Sequence, residues 1–376
     1  MRRLISGVLP AILLLALTSC VPPQNVTQVP TLPGTPPGTR SSFASLPGWT
    51  QDNLSDALAA FVLSCQTIAH MPPDQPLGGT GMAQAAGGQA GLWQASCTAA
   101  EAVPPGDDTA ARNFFETNFT AYTVPGQALI TGYFEPEYPG AKNLSKGYTV
   151  PLYAKPADST LADLPRAAID NGALTRKAPV TAYLASPVAA FMLQIQGSGR
   201  ILLPNGQTLR VGFDGQNGQP YTPIGRILVQ NGDLQPGDVS FQSIVAWLTA
   251  NPDQAQIIME QNARYVFLRP LGPLPDNQGA PGTLGVPLTA GRSLAVDKSI
   301  IPLGAPVFIS TTDPLTNAPL QRLTIAQDTG GGIQGPNRAD LFFGAGPDAE
   351  ATAGSMQQPG QLTILLPNPS AAVASQ

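Results

Sequence analysis

The sequence is poor in the residues on which most metal and nucleophile-based active sites depend. It has a single histidine, His70, and its three cysteines form no CxxC pair with metal-binding spacing. One histidine excludes His-rich metal sites and makes a Ser/His/Asp triad hard to build, and His70 stands at a predicted helix end, just before a proline pair. GxSxG and Walker motifs are also absent. The sequence therefore predicts no metal site and no cofactor.

Charge is also scarce. Charged residues make up 11% of the 376 positions, with 19 basic against 24 acidic side chains and no lysine or arginine run beyond Arg3. The positive field that nucleic acid requires is missing, so nucleic acid is excluded as a partner. The 43% of apolar residues indicates instead a globular protein with room for two domains.

The first 20 residues have the pattern of an export signal. Arg2 and Arg3 precede an apolar run from Leu4 to Leu17, and the small residues before Cys20 resemble the cleavage site of a bacterial lipoprotein. This resemblance implies that Cys20 is lipidated. Val21 lacks the aspartate that retains such a product at the inner membrane, so the periplasmic face of the outer membrane is the expected location. The alternative, a transmembrane helix, needs a longer apolar run.

Two cysteines remain, Cys65 and Cys97. An exported chain matures in an oxidising compartment, where two cysteines are more often bridged than free. We therefore predict a disulfide between them. The alternative is a pair of separate core cysteines, because Cys65 lies on the apolar face of a predicted helix.

Patterning divides the chain into a helical start and a strand-rich remainder. Residues 21–42, rich in proline, threonine and glycine, predict a tether, and residues 72–90 predict a loop. A residue pattern typical of β-strands begins near residue 128. Helices are predicted near 52–70, 92–102, 108–119, 164–171, 186–192, 240–250 and 253–262. Strands are predicted near 148–153, 193–203, 207–213, 264–269, 286–297, 305–310, 321–328, 340–344 and 361–366, followed by a disordered tail.

The segment LTIAQDTGGGIQGPNRADLFFGAG, residues 323–346, carries the clearest functional pattern. An apolar strand ends at Asp328, three glycines at 330–332 allow a tight turn, and Asp340 opens a second apolar strand. Two carboxylates beside such a turn are typical of acid-assisted cleavage of a glycosidic bond. The alternative is an Asx turn that caps a hairpin.

Eight segments together resemble one enzyme family. They are TGYFEP at 131–136, TVPLY at 149–153, RAAIDNGAL at 166–174, FMLQIQGSGRI at 191–201, VGFDGQNGQPYTPIGRIL at 211–228, NARYVFLRP at 262–270, AVDKSIIPLG at 295–304 and AQDTGGGIQGPNRADLFFG at 326–344. Their ordered occurrence is similar to the membrane-bound lytic transglycosylase A family, and the last segments resemble a three-aspartate domain.

The resemblance implies a mainly β fold with flanking helices. A double-psi β-barrel would be built from residues 43–132 and, in the three-aspartate domain, 280–367. A second barrel-like β-domain, residues 133–279, would be inserted between them, with the substrate groove between the two domains. Residues 1–20, 21–42 and 368–376 would be the signal, the tether and the tail.

The resemblance also implies the chemistry. The family cleaves the β-1,4 bond between N-acetylmuramic acid and N-acetylglucosamine of peptidoglycan and leaves 1,6-anhydromuramoyl ends. Asp340 matches the catalytic acid and base, Asp328 would support it, and Asp297 is expected to anchor the barrel. Near neutral pH the acid must hold its proton, which requires a pocket that raises the pKa of Asp340. A cell-wall synthesis or division complex is a further class of partner.

Several residues are candidates for contacts with glycan. They are Tyr133 by stacking, the QGSG segment of Gln196, Gly197, Ser198 and Gly199, and the turn of Gly330, Gly331 and Gly332. Tyr133 has the alternative of plain core at the domain joint. Glu135 is a rival acid, although a proline turn predicts that it is exposed. Gln334 stands where the family more often has a basic residue, which puts a charge contact with the substrate at this position in doubt.

The competing function is a non-catalytic lipoprotein that binds peptidoglycan and tethers the outer membrane to it.

Overall fold

A computed structural model of the chain describes residues 38–368. The expected signal peptide with Cys20, almost all of the expected tether and the tail from residue 369 lie outside the described residues. The tether prediction is wrong at its C-terminal end, because Thr39–Ser41 form a strand that pairs with Phe119–Thr123. Within residues 38–368, no helix is both long and apolar enough to cross a membrane.

The strands and helices of the described residues have the bounds that follow. The strands are β1 (Thr39–Ser41), β2 (Phe119–Thr123), β3 (Ala128–Glu135), β4 (Glu137–Ala141), β5 (Val150–Tyr153), β6 (Val180–Leu184), β7 (Ser198–Leu202), β8 (Thr208–Gln216), β9 (Val266–Pro270), β10 (Gln278–Pro281), β11 (Pro287–Thr289), β12 (Ser293–Val296), β13 (Pro306–Thr312), β14 (Pro319–Asp328), β15 (Arg338–Ala345) and β16 (Gln357–Pro367). The helices are α1 (Leu54–Ile68), α2 (Gly81–Gly87), α3 (Gln94–Glu101), α4 (Asp108–Asn118), α5 (Ser159–Ala162), α6 (Arg166–Asp170), α7 (Pro187–Gln196), α8 (Ile224–Asn231), α9 (Phe241–Ala250), α10 (Pro252–Glu260) and α11 (Pro347–Ser355).

Eight strands from both ends of the chain form the first sheet, which we call the ring sheet. Their order is β1-β2-β16-β13-β14-β12-β15-β3, and β3 also pairs with β16, so that six of the strands close into a ring. Closure removes open edges around that ring and encloses a core of strand side chains. The double-psi connectivity stays a prediction.

Six strands form a second sheet, the insert sheet, in the order β5-β6-β4-β7-β8-β9. They all come from residues 137–270, between β3 and the return of the chain to the ring sheet. β3 continues in the ring sheet to Glu135, beyond the boundary expected at residue 132. The protein therefore has a sheet-rich mixed fold with helices, in which an inserted sheet interrupts the first.

Helices α1, α3 and α4 cover the ring sheet. Leu54, Leu58, Phe61 and Cys65 are buried on one face of α1, as their helical spacing predicts, and they belong to the main apolar core. Cys65 and Cys97 form a disulfide that joins α1 to α3, with Cα atoms 5.3 Å apart. The first helical layer is thus fastened both by packing and by a covalent link.

Five helices depart from the sequence predictions. The predicted loop 72–90 contains α2, whose Ala83 is buried, so glycine and alanine content alone misled the prediction. The strand predicted at 193–203 begins only at Ser198, because Ser186 and Pro187 start α7 and Gly197, with φ +80°, ends it. Helices α5, α8 and α11 were not predicted at all.

Candidate active site

The two predicted aspartates lie in one row across the ring sheet. Ala295 on β12 is the register partner of Asp328 on parallel strand β14 and of Asp340 on antiparallel strand β15. On its other side Asp340 pairs with Thr131 on β3. Neighbouring strands are about 4.8 Å apart, so the two aspartates sit roughly 10 Å apart along the sheet. We call Thr131, Asp340, Ala295 and Asp328 the acid row.

Asp340 has few partners for a partly buried carboxyl group. The Thr131 hydroxyl donates to its Oδ1 at 2.7 Å, and the same hydroxyl oxygen accepts from Arg338 Nη1 at 2.9 Å, which directs the hydroxyl hydrogen toward Asp340. Burial raises the pKa of Asp340 to about 6, against the opposing effects of Thr131 and Arg338, and the charge of Asp328 adds to the rise. The group can therefore hold a proton at mildly acidic pH.

Asp328 has a different environment, because four donors converge on its carboxylate. Thr283 donates from its backbone N–H and its hydroxyl, both at 2.9 Å, and Thr329 N–H donates at 2.8 Å. The Tyr133 hydroxyl donates to Oδ2 at 3.1 Å. Burial still raises the pKa of Asp328, but each of these hydrogen bonds favours the ionised form. Paired carboxyl groups in unlike environments are the mark of an acid and an anionic partner.

A cleft of about 670 Å³ separates the acid row from the insert sheet. The side chains that face the row across the cleft include four groups that we call the insert wall: Arg166, Tyr221, Arg264 and Arg269. Arg166 is buried and lies 3.7 Å from Asp170, whereas the half-exposed Arg269 is only loosely paired, 3.8 Å from Asp214. The acidic protein thus gathers cations opposite its two carboxylates.

The glycine turn is packed against the insert wall. A Cβ at Gly331 would lie 2.2 Å from Arg264 Nη1, and one at Gly332 would lie 3.2 Å from Tyr221 Cε1. A Cβ at Gly330 would meet Ile333 instead. All three glycines line the cleft, but at two of them the close neighbour is a side chain of the insert wall. Close approach of another wall is one reason for glycine at such positions.

Tyr133 makes its contacts within the ring sheet, whereas Gln196 joins the insert to it. Tyr133 is 8% exposed, and its ring packs 5.2 Å from the ring of Phe342, its register partner. Burial, followed by the charges of Asp328 and Asp340, raises the pKa of the Tyr133 hydroxyl, so it remains a donor to Asp328. Gln196 Oε1 accepts from Phe134 N–H at 3.1 Å. Both residues still line the cleft.

The other three residues of the QGSG segment differ in their surroundings: two line the cleft and one is packed inside the protein. Gly197 and Ser198 line the cleft, and the left-handed backbone of Gly197 also caps α7. Gly199 does not line it. A Cβ at Gly199 would lie 2.1 Å from Leu193 Cδ2 and 2.8 Å from the Pro136 carbonyl oxygen, so this glycine serves internal packing. The structure does not place it with the other candidates for glycan contact.

Asp297, the third aspartate of the motif, lies outside the acid row. Its Oδ1 accepts from the backbone and hydroxyl of Ser299, at 3.0 and 2.6 Å, and its Oδ2 accepts from Gly335 N–H at 2.8 Å. It does not line the cleft. These contacts close a turn and connect it to the loop between β14 and β15, which is an anchoring role.

The expectation that Glu135 is exposed is wrong. Glu135 is 1% exposed, and its carboxylate is held by Arg200 Nε at 3.0 Å and Arg210 Nη2 at 3.1 Å, and it accepts from Ala280 N–H at 2.6 Å. The proline at 136 turns the chain into the insert sheet, where both arginines lie on neighbouring strands. Enclosed by two guanidinium groups, the Glu135 carboxylate does not line the cleft.

Other residues of the site were missed in the sequence. Arg338 and Thr131 flank Asp340, Thr283 holds Asp328, and Tyr221 and Arg264 contact the glycine turn. Arg338 stood two residues before Asp340, so strand periodicity alone places both on one face. Thr283 and Tyr221 come from loops, and no local pattern indicates where a loop will dock. Among residues 38–368, no group of three or more His, Cys, Asp or Glu side chains is arranged to hold a metal ion.

Comparison with protein-family models gives two matches. The model described as the MltA specific insert domain matches residues 129–269, and the model described as the 3D domain matches residues 292–366. The first match covers the insert sheet and the second covers most of the acid row.

Known proteins and structures are similar over most of the chain. The membrane-bound lytic murein transglycosylase A of Escherichia coli K12 is 33% identical over 254 residues, which are 65% of this chain and 67% of that protein. Matches to curated relatives span about two thirds of their length, from 65 to 67%. A membrane-bound lytic murein transglycosylase structure from Agrobacterium tumefaciens is 29% identical with a TM-score of 0.78, over 90% of this chain and 98% of that one. The structure of E. coli MltA with bound chitohexaose is 25% identical with a TM-score of 0.68, over 89% of this chain and 96% of that one.

Proposed function

Because the chain belongs to the membrane-bound lytic murein transglycosylase A family, we propose that it cleaves the β-1,4 bond between N-acetylmuramic acid and N-acetylglucosamine in peptidoglycan and leaves 1,6-anhydromuramoyl ends. The observation that carries this proposal is the acid row, in which one partly buried carboxyl group has a single hydrogen-bond donor and the other is held by four donors. The cleft in front of the row is the proposed glycan groove. A related structure binds chitohexaose, which is also a β-linked amino-sugar polymer.

Asp340 is the proposed general acid. A pKa of about 6 keeps a useful fraction of the carboxyl group protonated at mildly acidic pH, when an unperturbed aspartic acid would be ionised. The proton moves from the carboxyl oxygen to the glycosidic oxygen as the bond from that oxygen to the anomeric carbon breaks. Thr131 fixes the side-chain rotation through its hydrogen bond to Oδ1.

The same group then acts as a base. Once ionised, Asp340 accepts the proton of the 6-hydroxyl of the muramoyl residue while that oxygen bonds to the anomeric carbon and closes the anhydro ring. The nucleophile is part of the substrate, so neither a water molecule nor a second carboxylate spaced for attack is required. Arg338, held near Asp340 through Thr131, stabilises the transient carboxylate.

Asp328 is the proposed anionic partner. Four donors hold its carboxylate in place, and its negative charge faces the cleft, where positive charge develops on the sugar ring as the glycosidic bond breaks. An oriented charge in a poorly hydrated site stabilises such a transition state without reorganisation. Tyr133 maintains this arrangement from the ring sheet.

The location follows as part of the same proposal. Relatives bear the name membrane-bound, and a lipidated Cys20 would hold this chain at the periplasmic face of the outer membrane, next to its substrate. The competing function, a tether that binds glycan without cleaving it, would need no buried carboxyl group with a raised pKa in the cleft.

The test is digestion of purified peptidoglycan by the protein lacking residues 1–20. Mass spectrometry should detect 1,6-anhydro muropeptides with the unchanged protein, and Asp340→Asn should lower their rate of release by at least about a thousandfold while strand binding is retained. Asp233→Asn, which changes an exposed carboxylate of the insert, is the matched control and should act like the parent. Binding without any anhydro product from the unchanged protein would support the tether instead.

A further inference from the structure

Tyr221 connects the insert to the acid row, and nothing in the chemistry above assigns it a role. It lies in the segment between β8 and α8, on the opposite side of the cleft from Asp340. Its ring approaches the glycine turn so closely that a Cβ at Gly332 would be 3.2 Å from Cε1 and one at Gly331 would be 3.5 Å from Cβ of the tyrosine. The contact brings an aromatic ring of one sheet against the loop that follows Asp328 on the other.

The segment that carries Tyr221 is held firmly within the insert. Arg264 Nε donates to the Gln219 carbonyl oxygen at 3.0 Å, and Asn262 Oδ1 accepts from Thr222 N–H at 3.1 Å. Asn217 is fully buried and donates to the carbonyl oxygens of Leu164 and Ala263 at 2.8 and 2.9 Å. With bonds on both sides of Tyr221, the ring has a defined position over the cleft.

Tyr221 and Asp340 share one electrostatic environment. Burial raises the pKa of the Tyr221 hydroxyl and the charge of Asp340 raises it further, whereas Arg338 and Arg264 lower it. The groups that act on Asp340 from the ring sheet are Thr131, Arg338 and Asp328. Among residues 38–368 the Tyr221 hydroxyl has no hydrogen bond, whereas the ring contacts the glycine turn.

We propose that Tyr221 is a positioning residue whose ring closes the pocket of Asp340 from the insert side and keeps water away from the carboxyl group. The proposal rests on the proposed function and refines it, because it makes the pH range of the reaction depend on the insert. A carboxyl group loses its proton more readily when water reaches it, so removal of the ring should favour the ionised form of Asp340. Asp340 would then lose its proton, and with it the ability to act as the acid, at a lower pH.

The experiment measures kcat/KM for release of anhydro muropeptides between pH 4 and 8. For the unchanged protein we expect the rate to fall as pH rises through about 6, because only protonated Asp340 can act as the acid. We call this fall in rate the alkaline limb of the pH profile. In Tyr221→Ala the alkaline limb should lie about one pH unit lower, which lowers the rate at pH 7 about tenfold. Tyr221→Phe should retain the parent limb, and Tyr221→Leu, a smaller cover, should shift it by an intermediate amount.

Tyr183→Ala is the matched control, since Tyr183 is a half-buried tyrosine of the insert that does not line the cleft. It should leave the limb in place even if it lowers the melting temperature. The proposal is overturned if Tyr221→Ala, or Tyr221→Leu should the alanine variant not fold, titrates like the parent, or if Tyr221→Phe shifts as far as Tyr221→Ala. Failure of the proposed function has a different signature, which is the absence of anhydro products from the unchanged protein at every pH.

Discussion

The two walls of the cleft are built in different ways. On the ring-sheet wall, the acid row consists of residues on hydrogen-bonded strands in fixed register, and Ala295 separates the two aspartates by one strand. On the insert wall, Tyr221 comes from a loop, Arg264 from the residues before β9, and Arg166 from the start of α6. The first wall holds carboxylates and the second holds mainly arginines.

This difference indicates a division of labour. Register within a sheet fixes the distances between carboxyl groups, and proton transfer depends on such distances. Cations on the opposite wall favour an anionic ligand, and attraction of this kind tolerates a flexible side chain such as that of the half-exposed Arg269. The ring sheet should therefore control the chemical step and the insert wall should control binding.

The largest effects are expected from substitutions on the two sides of the cleft, one on each wall. Asp328→Asn removes the charge that faces the reacting sugar and should lower kcat by about a thousandfold with little change in KM. Arg269→Gln should raise KM several-fold and leave kcat near that of the parent, because its guanidinium contributes to attraction alone. The measurement is steady-state release of anhydro products from soluble glycan strands.

Arg226→Gln is the matched control for the arginine, since Arg226 is exposed in the insert and does not line the cleft. A loss of kcat in Arg269→Gln, or a pure KM effect in Asp328→Asn, would show that the walls do not divide the work in this way.

The two walls are held together by a cluster of Glu135, Arg200 and Arg210, which we call the clasp. Arg210 also donates to the Pro275 and Gln278 carbonyl oxygens and Arg200 to that of Asp276, so the clasp joins the exit of β3 to the returning chain. Glu135→Gln leaves two mostly buried guanidinium groups without their carboxylate and should lower the free energy of unfolding by about 3 kcal/mol.

Urea denaturation followed by circular dichroism measures that loss. Glu137→Gln offers a close control, because Glu137 also pairs with Arg200, at 3.6 Å, but is about a third exposed. It should cost less than about 1 kcal/mol. Equal effects of the two substitutions would mean that the clasp is an ordinary surface ion pair and does not set the geometry between the walls.

The same contrast explains how much the sequence revealed. Asp328 and Asp340 could be selected from the sequence because one ends and the other opens an apolar strand pattern on either side of a glycine turn, and the structure brings both to the cleft. The helices α1, α4, α9 and α10 and the β-rich second half were also predicted. These elements carry their own period and caps, such as the Asp107 side chain that accepts from Ala110 N–H at the start of α4.

What escaped prediction depends on contacts between distant segments. Glu135 precedes a proline turn that predicts exposure, yet arginines of two other strands enclose it. The glycines at 331 and 332 were interpreted as space for sugar, whereas Arg264 and Tyr221 occupy that space. Neither result can be derived from local spacing, because both depend on how the insert docks against the ring sheet.

The smallest expected effect concerns the energetic cost of the acid itself. A carboxyl group whose folded-state pKa is about 6 binds its proton more tightly in the folded protein than in the unfolded chain. The group therefore opposes folding increasingly as the pH rises from the unfolded value near 4 to about 6, the opposition is complete above about 6, and it is absent below about 4. Asp340→Asn removes the charge and should raise the free energy of unfolding at pH 8 by about 1 kcal/mol, with no gain at pH 4. Thermal melting at both pH values, with Asp233→Asn as the control, measures the difference. A variant that is less stable than the parent at pH 8 would mean that the carboxylate is well solvated or well paired there. The ring-sheet wall would then hold its acid at no cost in stability, and the proposed contrast with the insert wall would fail.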